Sequence, residues 1–260
     1  MPMAKTDVED TYVPVISPLL ASIQFLTIIR IFNRREAIVK ELGQTTGYFP
    51  LVGLLIGCII SVLYHWLNLV FSPEISAALL LAFWIILTGA LHLDGLVDTC
   101  DGLFGGKSPE HRLKIMRDEQ IGAFGFIGGF LLLLLKYLGI SALISWQALM
   151  IAPMIGRWII TFVLGIFPYA REKGLGREMK EKISFWQIAI AGMVTIVISC
   201  WVAGIEGLVM MVVLTIFSWG AGRYIVGLIG GLTGDSYGAL CEMSETVVLI
   251  MLPVLGAAFG

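Results

Sequence analysis

Residues 48–71 read YFPLVGLLIGCIISVLYHWLNLVF and contain no Asp, Glu, Lys or Arg. The hydrocarbon core of a bilayer is about 30 Å thick, and an α-helix needs about 20 apolar residues to cross it. In lipid every backbone polar group must find a partner within the protein, which a helix provides by itself. This stretch therefore predicts a transmembrane helix, and the fold depends on how often such stretches recur.

Further stretches of the same character follow along the chain. Of its 260 residues, 58% are hydrophobic and only 14% are charged, and the mean hydropathy is +0.91. That is too little polar surface to cover a compact body in water. We therefore predict an all-α, polytopic integral membrane protein with about seven transmembrane helices. The predicted spans are Tyr48 to Phe71, Ser76 to Leu93, Ile121 to Ser141, Ala148 to Phe167, Phe185 to Ala203, Leu208 to Gly230 and a short last one from Thr246 to Phe259.

The N-terminal part is less regular. Residues 18–32 are apolar, but Gln24 and Arg30 interrupt them, and about 15 residues are short for a crossing. We predict a re-entrant or interfacial helix here. Residues 1–17 are interpreted as an N-terminal tail and residues 18–260 as a single membrane-embedded domain. Glycines four apart in several spans favour close packing of helices, and a homo-oligomer is compatible with them.

The lysines and arginines are unevenly distributed among the connections. Those near residue 73, at 145–147 and at 204–207 contain none, whereas those at 33–47, 106–120 and 168–184 contain most of them. The two kinds alternate along the chain, so they fall on opposite sides of the membrane. Because basic loops resist translocation, we predict that the basic side is cytoplasmic. We expect the N-terminus inside and, with seven spans, the C-terminus outside.

The most informative stretch is residues 91–106, which read LHLDGLVDTCDGLFGG. Asp94, Asp98 and Asp101 stand at i, i+4 and i+7, which puts them on one face of a helix. Like charges stacked near a bilayer repel one another unless something compensates them. Mg²⁺ takes hard oxygen ligands and is usually shared between a few carboxylates and substrate phosphates. The spacing therefore predicts a metal site, and the alternative is that the acids simply cap the end of the second span in water.

Two cationic residues in the next loop are candidates for phosphate binding. Lys114 and Arg117 lie three apart beside Asp118, although a solvated cytoplasmic loop explains them equally well. Asp235 lies among glycines in the acidic segment 231–245, which the predicted topology puts on the same side as the aspartates. Three acids on one helical face cannot surround an octahedral ion. Asp235 is therefore a candidate for a further ligand.

Three cationic residues lie inside predicted spans. An intramembrane arginine is costly without a partner, so we expect Arg157 and Arg223 to pair with an aspartate or a substrate phosphate. Lys136 is expected to extend along its span to the surface.

Residues 98–102, DTCDG, match the opening of the CDP-alcohol phosphotransferase motif. Those membrane enzymes bind a nucleotide diphosphate through metal-bound aspartates. The match then stops, because Gly105 and Gly106 follow and no second half of the motif is present. The chain resembles that chemistry rather than that family.

The longer string from His92 to Gly106 resembles the signature of the cobalamin synthase family, adenosylcobinamide-GDP ribazoletransferase. The resemblance extends from about residue 18 to the end of the chain. Four other segments support it: FLT at 25–27, MRD at 116–118 with IGAFG at 121–125, PYAR at 168–171 with GLG at 174–176, and GLTGDSYGA at 231–239.

The resemblance implies a Mg²⁺-dependent membrane transferase of cobalamin biosynthesis. Such an enzyme joins adenosylcobinamide-GDP to α-ribazole, or to its 5′-phosphate, and releases GMP. In that reaction Asp94, Asp98 and Asp101 would hold Mg²⁺ against the diphosphate, with Asp235 completing the set. His92, near the nucleophile, would be a candidate general base, against the alternative of a structural hydrogen bond. The candidates for binding the substrate phosphates are Lys114, Arg117, Arg157 and Arg171.

Two other classes of protein remain as alternatives. An ion-coupled transporter would use intramembrane arginines and carboxylates along a permeation path, but it predicts polar residues near the middle of several spans, whereas the acids here crowd at one cytoplasmic level. A lipid-head-group phosphotransferase is weakened by the missing half of its motif. The net charge of −2 excludes a generally basic nucleic-acid binder.

Overall fold

The computed structural model describes residues 17–31, 45–143 and 146–259. Within these ranges the protein is helical, apart from loops and an isolated parallel bridge between Tyr169 and Leu232. The prediction of an all-α polytopic membrane protein is confirmed. The predicted tail 1–17, except for its last residue, most of the connection 33–47 and part of the connection 145–147 lie outside the described residues.

The described residues form ten α-helices, numbered here in chain order. Pro50 and Pro73 stand in the first turns of two of them, where the fixed φ of proline suits the helix and its missing N–H is not needed. Their bounds are α1 (Ser17–Leu26), α2 (Phe49–Asn68), α3 (Pro73–Leu87), α4 (Leu91–Gly105), α5 (Pro109–Ile115), α6 (Ala123–Ser141), α7 (Gln147–Ile166), α8 (Leu175–Lys182), α9 (Phe185–Ile229) and α10 (Gly234–Phe259).

Five of these helices are long and apolar enough to cross a membrane, and α3 and α4 together form a sixth candidate that is bent by 89°. The five are α2 with its preceding 3-10 turn, α6, α7, α9 and α10. With ten residues, or about 15 Å of helix, α1 is too short to cross. It packs beside the start of α2, where the rings of Phe25 and Phe49 stack at 5.9 Å.

Helix α9 has 45 residues, or about 68 Å if straight, which is more than twice the hydrocarbon thickness. Its backbone is non-helical at Ala203 and Gly204, where Gly204 has a φ of +57°. A Cβ atom added to Gly207 would lie 2.2 Å from the carbonyl oxygen of Ser199. Residues eight apart meet this closely only if the chain reverses, so α9 is an antiparallel hairpin. Its two arms correspond to the predicted spans 185–203 and 208–230.

Helix α7 is the centre of the bundle. Within its apolar window 78% of the residues are buried in the protein, against 22% in α9. Gly53 and Gly57 of α2 let the two backbones touch, because a Cβ at either position would lie within 2.3 Å of a carbonyl oxygen of α7. Of the five long apolar helices, α7 is therefore the one most enclosed by the rest of the protein.

The predicted second span, Ser76 to Leu93, is wrong at its end. Helix α3 stops at Leu87, and the aspartates lie on the separate helix α4. The bend is at Gly89 and Ala90, whose φ angles are +60° and +55°. Glycine adopts this left-handed conformation readily and alanine only with strain, so the chain cannot continue as one helix. The aspartate helix thus lies across the direction of α3.

The predicted last span and the acidic loop before it are also wrong. Helix α10 begins at Gly234 and includes residues 234–245 of the predicted loop. Glu242 and Glu245 are therefore buried in a membrane helix, with 7% and 0% exposure. Their charge predicted a loop, because hydropathy contains no information about Lys136 and Arg157, the cations that they contact.

The two kinds of connection gather at opposite ends of the bundle. At one end Gln147, Gly204 and Pro253 line the same cavity, and the Tyr64 hydroxyl lies 3.5 Å from the carbonyl oxygen of Leu143. At the other end the backbone of Leu232 hydrogen-bonds to Pro168 and Ala170. The described basic connections, 106–120 and 168–184, thus share one end, and the connections that lack Lys and Arg share the other.

This arrangement predicts the accessibility of single cysteines in a cysteine-free variant. We expect Glu110→Cys and Lys173→Cys to react with a membrane-impermeant maleimide from the same side, and Ser72→Cys from the opposite side. All three positions are exposed. Labelling of Ser72→Cys from the same side as Glu110→Cys would contradict the fold.

Candidate active site

Helix α4 holds the aspartates against the last helix, α10. A Cβ atom on Gly95 would lie 2.8 Å from the backbone oxygen of Asp235, and one on Gly238 would lie 2.9 Å from that of His92. Only glycine permits such an approach between the two backbones. The predicted meeting of Asp235 with the aspartate string therefore occurs in the fold, but through a helix start rather than a loop.

The acids on α4 differ in their surroundings. Asp94 is exposed, Asp98 is half-buried and Asp101 is buried. Asp98 experiences electrostatic repulsion from Asp94, Asp235 and Asp101, which Arg171 partly offsets. The site thus concentrates negative charge at the basic end of the bundle.

The carboxylate of Asp101 has a defined structural role. Its two oxygens accept hydrogen bonds from the backbone N–H groups of Gly122 and Gly125, both at 2.7 Å. These donors belong to the first turn of α6, whose N–H groups lack partners within the helix and carry its positive dipole end. A Cβ atom at Gly125 would lie 2.2 Å from this carboxylate. Asp101 therefore anchors the start of α6, unlike the exposed Asp94.

Arg171 and Asp235 form an ion pair at 2.7 Å. Arg171 follows the bridge between Tyr169 and Leu232, which brings the loop after α7 beside the start of α10. Its guanidinium also donates to the carbonyl oxygen of Met116 at 3.3 Å. Its Nε is buried and donates to none of the described residues, so Arg171 retains a donor at the edge of the acidic cluster.

The remaining loop cations lie at different distances from this cluster. Arg117 influences Tyr169 electrostatically, which puts it near the Arg171 loop. Burial is the main cause that raises the pKa of the Tyr169 phenol, so this hydroxyl stays protonated at neutral pH. Lys114 is exposed in the last turn of α5, and no described contact links it to the aspartates.

Arg157 is fully buried and pairs with Glu245, not with an aspartate. It also lies 3.2 Å from Nδ1 of His92. Both partners are inside the bundle, so the predicted contact of Arg157 with an aspartate is wrong. Its predicted contact with phosphate remains a prediction.

Lys136 does not extend to the surface as expected. It is 3% exposed and lies 2.5 Å from both Glu242 and Glu245, with its ammonium 4.5 Å from the Trp84 ring centroid. Polar groups therefore do occur well inside the spans, contrary to expectation. Arg223 also differs from expectation, because it is exposed and lies over the ring of Trp219.

Within the described ranges, no three His, Cys, Asp or Glu side chains are already gathered as a metal site. The donor chemistry nevertheless fits Mg²⁺, which is commonly held by one or two carboxylates, several waters and substrate phosphates. Asp94, Asp98 and Asp235 supply hard oxygens without a preformed cage.

Comparison with known proteins identifies the family. A family model described as cobalamin-5-phosphate synthase matches residues 18–253. The chain belongs to this family. It is 38% identical to the adenosylcobinamide-GDP ribazoletransferase of Desulforamulus reducens, over 91% of this chain and 96% of the relative. The proteins of the same name from Desulfitobacterium hafniense and Thermoanaerobacter pseudethanolicus are 35% and 37% identical, over 91% and 90% of this chain and 96% of each relative. No solved structure matches the chain.

In this member of the cobalamin-5-phosphate synthase family, sequence reasoning missed several residues that shape the site. Arg112 donates to the carbonyl oxygens of Leu103 and Leu228, both at 3.3 Å, and so ties α5 to α4 and α9. Glu242 and Glu245 are spaced i, i+3, which puts them on one face of a helix. That spacing was a signal for buried cations on a facing helix.

The contacts of Asp101 predict a stability effect that Asp94 does not share. In Asp101→Asn an amide nitrogen would face a backbone N–H group, donor against donor, which costs about 1–3 kcal/mol of unfolding free energy. We expect Asp101→Asn to melt at a lower temperature than wild type in detergent, and the exposed Asp94→Asn to melt like wild type. Equal melting temperatures for the two variants would contradict this role.

Proposed function

We propose that this protein is an adenosylcobinamide-GDP ribazoletransferase of cobalamin biosynthesis. The relatives that carry this name match about nine-tenths of the chain, and this match is the observation that carries the proposal. The enzyme joins adenosylcobinamide-GDP to α-ribazole or its 5′-phosphate and releases GMP. The cluster of carboxylates with Arg171 at one end of the bundle supports this chemistry.

The reaction exchanges a phosphoanhydride bond for a phosphate ester bond. An oxygen of α-ribazole bonds to the phosphorus that carries cobinamide, the bond from that phosphorus to the GMP oxygen breaks, and the hydroxyl proton leaves to solvent or to GMP. Such transfers need in-line positioning and neutralisation of the phosphate charge rather than covalent help from the protein. The site must therefore hold a doubly charged diphosphate beside its own acids.

We assign Asp94, Asp98 and Asp235 to hold Mg²⁺, whose charge would offset that of the diphosphate and the acids. When bound, the ion neutralises phosphate oxygens and stabilises the leaving group. Asp101 is assigned to the positioning of α6, because its oxygens already accept two backbone hydrogen bonds.

Arg171 is the best-placed group for the diphosphate. A guanidinium offers several donors in one plane, which matches the geometry of phosphate, and its Nε has no described partner. With Asp235 among the residues that would hold the metal, Arg171 is proposed to contact the phosphate. Arg117 is proposed to contribute charge from the neighbouring loop, and Lys114 to attract the nucleotide from a greater distance.

The protein is proposed to lie in the bacterial inner membrane with this site facing the cytoplasm. The support is the concentration of lysine and arginine in the connections at the same end of the bundle. The intramembrane charges do not favour a transporter, because two cations are matched by two carboxylates in direct contact.

Product analysis tests the proposal directly. The purified protein, incubated with adenosylcobinamide-GDP, should release GMP only when α-ribazole (or its 5′-phosphate) and Mg²⁺ are both present. GMP release without an acceptor would indicate a hydrolase, and no release under any condition would overturn the proposed activity.

Variants of the carboxylates test the metal ligands. Asp98→Asn and Asp235→Asn should each lower turnover about 100-fold or raise the Mg²⁺ needed for half-maximal rate, since metal charge stabilisation is worth several kcal/mol. Glu119→Gln, an exposed acid in the basic loop, is the matched control and should behave like wild type. Glu245 is unsuitable as a control because it is buried against Arg157. Wild-type Mg²⁺ curves for Asp98→Asn and Asp235→Asn would remove both from the site.

A further inference from the structure

Five ionisable side chains form a continuous buried network inside the bundle. Lys136 of α6 contacts Glu242 and Glu245 of α10, Glu245 contacts Arg157 of α7, and Arg157 contacts His92 at the start of α4. All five residues are at most 7% exposed. The network therefore connects the aspartate helix to three membrane helices.

The contact between Arg157 and His92 assigns the hydrogen-bonding role of each ring nitrogen. A guanidinium has only donors and keeps its charge, so the ring nitrogen that faces it must offer a lone pair. That nitrogen is Nδ1, at 3.2 Å from Nη2 of Arg157. In a neutral imidazole the proton then resides on Nε2, which cannot accept another proton. The predicted role of His92 as a general base is inconsistent with this arrangement.

The position of His92 gives the contact a mechanical consequence. His92 lies in the first turn of α4, directly after the left-handed residues Gly89 and Ala90. Its backbone rests against Gly238 of α10, and its side chain faces the interior, away from the exposed Asp94. Because of the bend, no continuous helix before α4 holds it in place. The side chain of His92 instead attaches the start of α4 to the buried network through Arg157.

We propose that His92 is a positioning residue whose Nδ1 accepts a hydrogen bond from Arg157 and thereby fixes the aspartate helix relative to α7 and α10. The expected effect on turnover rests on the proposed function, but the tautomer of His92 does not depend on which reaction the protein catalyses. Glu245 neutralises and orients Arg157 for this contact, and Lys136 with Glu242 completes the charge balance of the network.

Substitution of His92 by Asn or by Gln distinguishes the role of Nδ1 from that of Nε2. Asn at position 92 can present an acceptor near the Nδ1 position, whereas the longer Gln presents its amide near the Nε2 position. His92→Asn should therefore keep most of the turnover number, within about threefold, whereas His92→Gln and His92→Leu should lose about 10- to 100-fold, as is typical when a supporting contact of a site is removed. His65→Asn, at the other end of the bundle, is the matched control. Arg157→Leu is avoided because it would leave Glu245 without that partner.

Nitrogen-15 NMR of the histidines measures which ring nitrogen of His92 carries the proton, and this result does not depend on the stability of the fold. The chain has only 3 histidines, so comparison of wild type with His92→Asn assigns the His92 signals. We expect a protonated Nε2 and an unprotonated Nδ1. A protonated Nδ1, or high turnover of His92→Gln with an inactive but folded His92→Asn, would overturn the proposal. Failure of wild type to release GMP would instead overturn the proposed function and leave the tautomer result standing.

Discussion

The fold depends on the balance of charge inside a medium that cannot solvate charge. Lys136 and Arg157 bring two positive charges into the bundle, and Glu242 and Glu245 bring two negative ones. A buried ion without its partner is strongly destabilising, whereas a matched set with good geometry is tolerated. The three helices that carry these groups must therefore pack in one register, and this constraint fixes where α10 lies.

The candidate site follows from that register. Because α10 is fixed, its first turn carries Asp235 to Gly95 of α4, and the bridge between Tyr169 and Leu232 brings Arg171 to the same place. The apolar interior thus holds a charged network, and the end of the bundle holds an acidic cluster with a cation at its edge. The charged network stabilises the fold, and the acidic cluster is suited to a metal-bound diphosphate.

The sequence predicted the parts of this structure that depend on local pattern. Continuous apolar runs identified the membrane helices, and the spacing of Asp94, Asp98 and Asp101 identified one helical face. It could not predict the contacts between distant residues, such as Lys136 with Glu242, which are 106 positions apart. Glu242 and Glu245 therefore looked like loop residues. The left-handed conformation of Ala90 was also hidden, because alanine carries no turn signal.

A double-mutant cycle tests the central constraint most directly. Lys136→Met and Glu242→Leu each leave an unmatched charge in the bundle and should each cost about 3–5 kcal/mol of unfolding free energy. The double variant leaves Arg157 and Glu245 as a matched pair, so its melting temperature and its rate of GMP release should recover most of the way to wild type. If the double variant is instead destabilised by the sum of the two single effects, charge balance is not what fixes the position of α10.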